Sequence, residues 1–92
     1  MTVIERIRHK IRERDYYLSS HAEEEMVEDG FNRADMENAI LQGVIEKKLT
    51  HDPRGTRYRI KGPANDGRLM HVLCRFREAS NLIIITTYER EQ

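Results

Sequence analysis

The sequence predicts an α+β fold, with N-terminal helices packed on one face of a four-stranded antiparallel sheet, all in a single domain spanning residues 1–92. Three observations carry that expectation. Apolar residues recur at helical spacing as far as Gly43 and alternate with a period of two beyond it. Clusters of Gly, Pro, Asn and Asp punctuate the chain where turns are needed. The connections between the alternating runs are short, which makes sequential strands antiparallel neighbours.

Val3, Ile4, Ile7 and Ile11 form a one-sided stripe over residues 3–14, so the first helix ends near Asp15. Tyr16-Tyr17-Leu18 reads as a short extended piece. Ser19 or Ser20 offers the capping hydroxyl for a second helix that runs to about Asp29, its first turns carrying Glu23, Glu24 and Glu25 where the helix dipole favours acid. Gly30 supplies a left-handed stop. Asn32 caps a third helix with Met36, Ala39 and Ile40 inward and Gly43 as terminator.

Strands are expected at Val44–Thr50, Thr56–Lys61, Arg68–Arg77 and Leu82–Tyr88, in that spatial order, with turns at His51–Gly55, Gly62–Gly67 and Glu78–Asn81. Alternation turns Tyr58, Ile60, Met70, Val72, Cys74 and Phe76 toward all three helices. It leaves Arg57, Arg59, Lys61, His71 and Arg75 on an open cationic face.

With 92 residues, no Trp and 38% apolar composition, the chain has material for one small core. Its 16 basic and 16 acidic residues cancel, which excludes a global attraction for nucleic acid. The distribution is uneven, however. Residues 1–43 hold six basic and ten acidic residues, residues 44–77 nine and three, and residues 78–92 one and three, for segment charges of −4, +6 and −2. The central block is either an anion-binding surface or a solvated sheet face.

Cys74 alone cannot make an internal disulfide, so a secreted disulfide scaffold is excluded and a reducing cytoplasm is the default. The longest apolar run, Leu82–Ile85, is far too short to span a membrane. No two of His9, His21, His51 and His71 have metal-ligand spacing, and His71 and Cys74 point to opposite faces of a strand, so neither a metal nor a cofactor is expected. A nucleophile elbow, a Gly-rich phosphate loop and a paired-carboxylate signal are all missing, which removes covalent-hydrolase and nucleotide-kinase readings.

One reaction is compatible with what remains. RNA carries its own nucleophile, the 2′-hydroxyl, beside the scissile phosphate, so a base, an acid and cationic clamps suffice. His21, at the positive end of the second helix where charge on the ring is disfavoured, is either suited to a general base or merely hydrogen-bonds the first turn or the neighbouring sheet. Arginines on the open face can hold a phosphate in bidentate fashion.

The run Ser20-His21-Ala22-Glu23-Glu24-Glu25-Met26, followed by Asp29-Gly30-Phe31, Pro53-Arg54-Gly55-Thr56-Arg57-Tyr58, Asp66-Gly67-Arg68 and Thr86-Thr87-Tyr88, resembles a bacterial family of domains of unknown function whose members carry an H-A-x-x-x-M helix start. The similarity covers roughly Tyr17 to Tyr88. That family looks like a relative of the RelE, BrnT and MqsR ribonuclease toxins. The resemblance implies a RelE/barnase-like arrangement, an mRNA-cleaving toxin of a toxin–antitoxin pair, and a partner resembling a zinc-finger-type antitoxin. It implicates His21, Arg57, Tyr58, Arg68 and Tyr88. Glu25 and Asp29 stand where many members carry Arg, so this helix edge is the more acidic one.

The expectation is therefore a metal-independent endoribonuclease with His21 as base, Arg57 and Arg68 as phosphate clamps and Tyr88 as proton donor or stacking platform. Tyr58, Arg59, His71 and Arg75 are expected to bind the RNA. The alternative is a non-catalytic module whose basic face docks RNA or an acidic partner protein.

Overall fold

A computed structural model describes residues 1–78 and 81–90. The chain runs α1 (Val3–Arg12), β1 (Tyr16–Leu18), α2 (Ser20–Asp29), α3 (Arg33–Gln42), β2 (Val44–Leu49), β3 (Arg57–Pro63), β4 (Leu69–Phe76) and β5 (Leu82–Glu89). Part of the predicted turn at Glu78–Asn81, namely Ala79 and Ser80, lies outside the described residues.

Each helix begins at the residue type that capping chemistry favours. Thr2, Ser19 and Asn32 each accept a first-turn N–H, from Glu5, Ala22 and Asp35 respectively. At α3 the cap is reciprocal, because the Asp35 carboxylate accepts the Asn32 N–H in return. Asp35 also accepts the N–H of Asn65, which ties the β3–β4 loop to the start of α3. Gly30 ends α2 in the left-handed conformation, at φ 73°.

The sheet corrects the predicted topology. It has five strands and is mixed, in the order β1-β5-β4-β3-β2. Strands β2 to β5 form the expected antiparallel meander, while β1 pairs in parallel with β5 through Tyr16↔Leu82, Tyr17↔Ile83 and Leu18↔Ile84. Three residues are too few for periodicity to identify a strand, and their partner lies at the far end of the chain. Beyond Leu18 the edge of β5 passes to α2. Ser19 donates its N–H to the carbonyl of Ile84 and its hydroxyl to that of Ile85, and the Asp29 carboxylate accepts the N–H of Glu89. A helix thus continues what a strand begins along one sheet edge.

The predicted faces of β3 and β4 hold. Tyr58 pairs with Cys74, Ile60 with Val72 and Gly62 with Met70 on the helix side. Ile60, Met70, Val72 and Cys74 are fully buried there with Ile7, Met36, Ile40 and Ile84. Burying a side chain of that size contributes roughly 1.5–3 kcal/mol. Gly43 and Gly62 matter through contact rather than through backbone freedom. A Cβ on Gly62 would lie 2.0 Å from the Ala39 carbonyl oxygen, and one on Gly43 would lie 2.3 Å from the same atom. These glycines let the end of α3 rest directly on β3. Arg8 of α1 locks that junction by donating to the Gly43 carbonyl at 2.8 Å.

Two bulges shape the other face. Ile85 is an extra residue in β5, between Ile84↔Cys74 and Thr86↔Leu73. Glu46 is the extra residue in β2, between Ile45↔Ile60 and Lys47↔Arg59.

Candidate functional site

The register lays out the open face as three rows across the sheet. One holds Val44, Lys61, His71 and Tyr88; the next Lys47, Arg59, Leu73 and Thr86; the third Leu49, Arg57, Arg75 and Ile83. Directly opposed side chains are ~5 Å apart at Cβ. Tyr88 reaches this face because of the β5 bulge. Strict alternation from the buried Leu82 and Ile84 would turn Thr86 and Tyr88 inward, whereas Ile85 resets the phase and buries Thr87.

His71 sits at the centre. It is only 8% exposed, its ring centroid lies 4.9 Å from that of Tyr88, and its Nε2 lies 3.1 Å from a Glu46 carboxylate oxygen. Neither ring nitrogen makes a well-aligned hydrogen bond. Burial pushes the His71 pKa down, against the raising influence of Glu46, and the Arg59 guanidinium adds to the lowering. Glu46 is subject to a desolvation that raises its pKa, but His71, Arg59 and Lys61 together hold it below the usual carboxylate range. Arg59 Nη2 is 3.0 Å and Lys61 Nζ 3.6 Å from that carboxylate. The centre of the face is therefore an imidazole against a charged carboxylate and two cations.

Other predicted residues are distributed unevenly around this centre. Arg57 faces Arg75 across the strands, a like-charge pair relieved by Asp52, whose Oδ2 is 3.6 Å from Arg57 Nε. Asp52 titrates low because it accepts the Arg54 N–H and side chain. The Nε atoms of Arg57 and Arg59 are buried without a hydrogen bond. Tyr58 lies on the opposite side of the sheet, packed against the core, and is not brought to the surface that holds Arg59, His71 and Arg75.

Arg68 has a different occupation. Its guanidinium donates to the carbonyls of Asp29 and Gly30 at 2.7 and 2.9 Å and to Asp66 at 2.8 Å, and it stacks on Phe31 with 4.3 Å to the ring centroid. It satisfies the carbonyl end of α2, where a cation is favoured. His21 stands on the rim, its side chain 68% exposed, with Nε2 2.7 Å from Glu25. Glu25 in turn accepts the Thr86 hydroxyl, so an imidazole–carboxylate–hydroxyl chain links α2 to β5.

Between α2 and the sheet lies a groove of about 1400 Å³, walled by Glu25, Glu28, Asp29 and Glu89, with His71 and Tyr88 also lining it. Its cations are Arg68 and Arg90. The open surface is thus bipolar, cationic over β2–β4 and acidic beside α2. Among the described residues no three His, Cys, Asp or Glu side chains converge as a metal set. No helix among them is long and apolar enough to cross a membrane.

Sequence reasoning missed Glu46 as a site residue. The available signal was its isolation, because it is one of only three acidic residues in the basic block 44–77, and each of the three holds an arginine.

A family model described as "Domain of unknown function (DUF4258)" matches residues 18–89. The chain belongs to this family. The DUF4258 match runs from the end of β1 to the last residue of β5, so it takes in α2, the three rows of the open face and every predicted site residue. Helix α1 lies outside it. No curated protein and no solved structure matches the chain.

Proposed function

We propose that this DUF4258 domain is a toxin-type, metal-independent endoribonuclease that cleaves mRNA through the substrate's own 2′-hydroxyl, as kinship with RelE, BrnT and MqsR toxins would imply. The observation that carries this reading is His71, a nine-tenths-buried imidazole with no aligned partner at either nitrogen, set between Lys61 and Tyr88 on a cationic sheet face. Its lowered pKa keeps it neutral and able to take a proton at physiological pH.

In this mechanism His71 accepts the 2′-hydroxyl proton, the 2′-oxygen attacks phosphorus, and the bond to the 5′-oxygen breaks. Tyr88 supplies the proton to that leaving oxygen and regains one from His71 through water. Arg59 and Lys61 neutralise the charge that gathers on the phosphoryl oxygens. The products are a 2′,3′-cyclic phosphate and a free 5′-hydroxyl. The base role moves from His21 to His71, because His21 is exposed and held by Glu25 on the rim. Arg68, engaged with the end of α2, gives up the role of phosphate clamp to Arg59 and Lys61.

A second reading rests on a separate observation. Arg57 is already partnered by Asp52, and Arg59 by Glu46, which suits a face that docks RNA or an acidic protein without reacting. An antitoxin-type protein is the proposed partner in either reading.

RNA incubated with the protein in excess EDTA decides between them. Discrete products with 2′,3′-cyclic ends, reduced ~10²–10⁴-fold in rate by His71→Ala and less than tenfold by His21→Ala, support the nuclease. Tight, salt-sensitive binding of intact RNA, weakened by Arg57→Ala with Arg59→Ala, supports the docking module.

A further inference from the structure

We propose that the acidic groove beside Tyr88 is a nucleobase subsite selective for guanine, with the base stacked on the Tyr88 ring and its adjacent N1–H and N2–H₂ donors held by the Glu28 carboxylate. This inference rests on the reading of the open face as an RNA surface and adds what that surface reads.

The groove puts four carboxylates, Glu25, Glu28, Asp29 and Glu89, against two guanidiniums, so it repels phosphate and suits a ligand edge rich in N–H donors. Three of the four are engaged. Glu25 holds His21 and Thr86, Asp29 accepts the Glu89 N–H, and Glu89 lies 3.6 Å from Arg68. Among the described residues Glu28 has no hydrogen bond or ion pair, and its side chain is free to meet a ligand.

His71 supplies an independent indication. It lines the same groove, is 8% exposed, and has neither ring nitrogen in an aligned hydrogen bond. A buried polar group left in that state is costly unless a group from outside the chain completes it.

Carboxylate and aromatic platform together define the ligand. Guanine alone among the four bases presents two neighbouring donors, N1–H and N2–H₂, on one edge, with the O6 acceptor beside them. That edge matches a bidentate carboxylate. Adenine and cytosine offer one amino group beside a ring acceptor, and uracil one imino group between two carbonyls. The bipolar surface also matches a nucleotide. Lys61 is two strand spacings, about 10 Å, from Tyr88, so the phosphate can lie over Arg59 and Lys61 while the base enters the groove.

The test is calorimetric titration of the whole chain with 3′-GMP, 3′-AMP, 3′-CMP and 3′-UMP, following the His71 ring resonances by NMR. The expected result is 3′-GMP binding at least about tenfold tighter than the others, with the His71 signals moving. Glu28→Gln should erase the preference and leave the shared phosphate affinity, while Tyr88→Phe should keep it. Equal affinity for the four nucleotides, or an unchanged preference in Glu28→Gln, overturns the subsite. So does a groove that takes a lysine oligopeptide and no nucleotide. Cleavage of RNA with no base preference would remove the subsite and leave the nuclease standing, whereas a guanine preference in a chain that never cuts RNA would do the reverse.

Discussion

The ring of Tyr88 tilts 60° against that of His71 with 4.9 Å between centroids, and it does so because Ile85 is one residue too many for the β4–β5 ladder. Were Ile85 to take an ordinary place in the ladder, the hydroxyl of Thr87 would face out and the ring of Tyr88 would face the core. The pairing of a buried imidazole with a phenol is thus set by the bulge in the strand rather than by either residue's own preference.

Stability should depend on pH through His71. Its folded pKa lies below the ordinary 6.5, so between those two values the unfolded chain binds more protons than the folded one. The contribution is fully present above the unfolded pKa and is lost as pH falls from there toward the folded pKa. The urea midpoint should accordingly drop between pH 7.5 and pH 5.5, approximate buffer choices that bracket the ordinary imidazole range. His71→Gln should flatten that part of the profile. The losses that come from Asp52 and Asp66, whose pKa values are lowered, belong to a separate and more acidic window.

Gly62→Ala should be among the most damaging single substitutions. Its new methyl would meet the Ala39 carbonyl at 2.0 Å, and that atom belongs to helix backbone, which cannot move aside as a flexible side chain can. An overpacking cost of about 1–3 kcal/mol corresponds to roughly 4–25 °C in a domain of this size. Gly67→Ala meets nothing within 4 Å, so its cost comes from backbone conformation at φ 90° alone. Thermal melts of the two variants should rank Gly62→Ala as the less stable.

Cys74 should be chemically silent in the native protein. It is fully buried, and burial pushes its thiol pKa up to about 12, so almost no thiolate exists at pH 8. A thiol reagent such as DTNB should leave the folded chain unmodified and react with one equivalent after denaturation. Rapid stoichiometric reaction in native buffer would show that the β4 core opens readily.

Arg68→Ala should lower the melting temperature more than Arg54→Ala does. Arg68 bridges α2, the β3–β4 loop and Phe31, whereas the hydrogen bonds of Arg54 stay within its own turn, to Asp52. Arg68→Lys should recover little, since an ammonium cannot reach two carbonyls and a carboxylate in one plane. Equal melting of the alanine variants would contradict the anchoring role.

The parts of this fold legible in the sequence are those written in local pattern. Serine and asparagine caps, the Gly30 stop and the alternation of Tyr58, Ile60, Val72 and Cys74 each depend on near neighbours, and they hold. What the pattern did not reveal depends on distant partners. Tyr16–Leu18 becomes a strand only because β5 is there to receive it. The bulge at Ile85 leaves no mark in residue type, since an isoleucine suits either phase of a strand. Arg68 has the chemistry of a phosphate clamp, and the approach of the carbonyl end of α2 decides its partners instead.

The parallel seam between Tyr16–Leu18 and Leu82–Ile84 also governs the order of assembly. Ser19, which begins α2, bonds to Ile85 across a sequence separation of 66 residues. On a ribosome, α1, α3 and the β2–β3–β4 meander can form while the chain is still being made. The edge strand can pair, and the start of α2 can dock on the sheet, only once residues 82–85 have emerged. The wall of the groove is therefore the last part of the molecule to close, and until it does, the inner residues of β1 and α2, including Leu18, Ala22 and Met26, remain available to any chaperone or partner that reaches the nascent chain first.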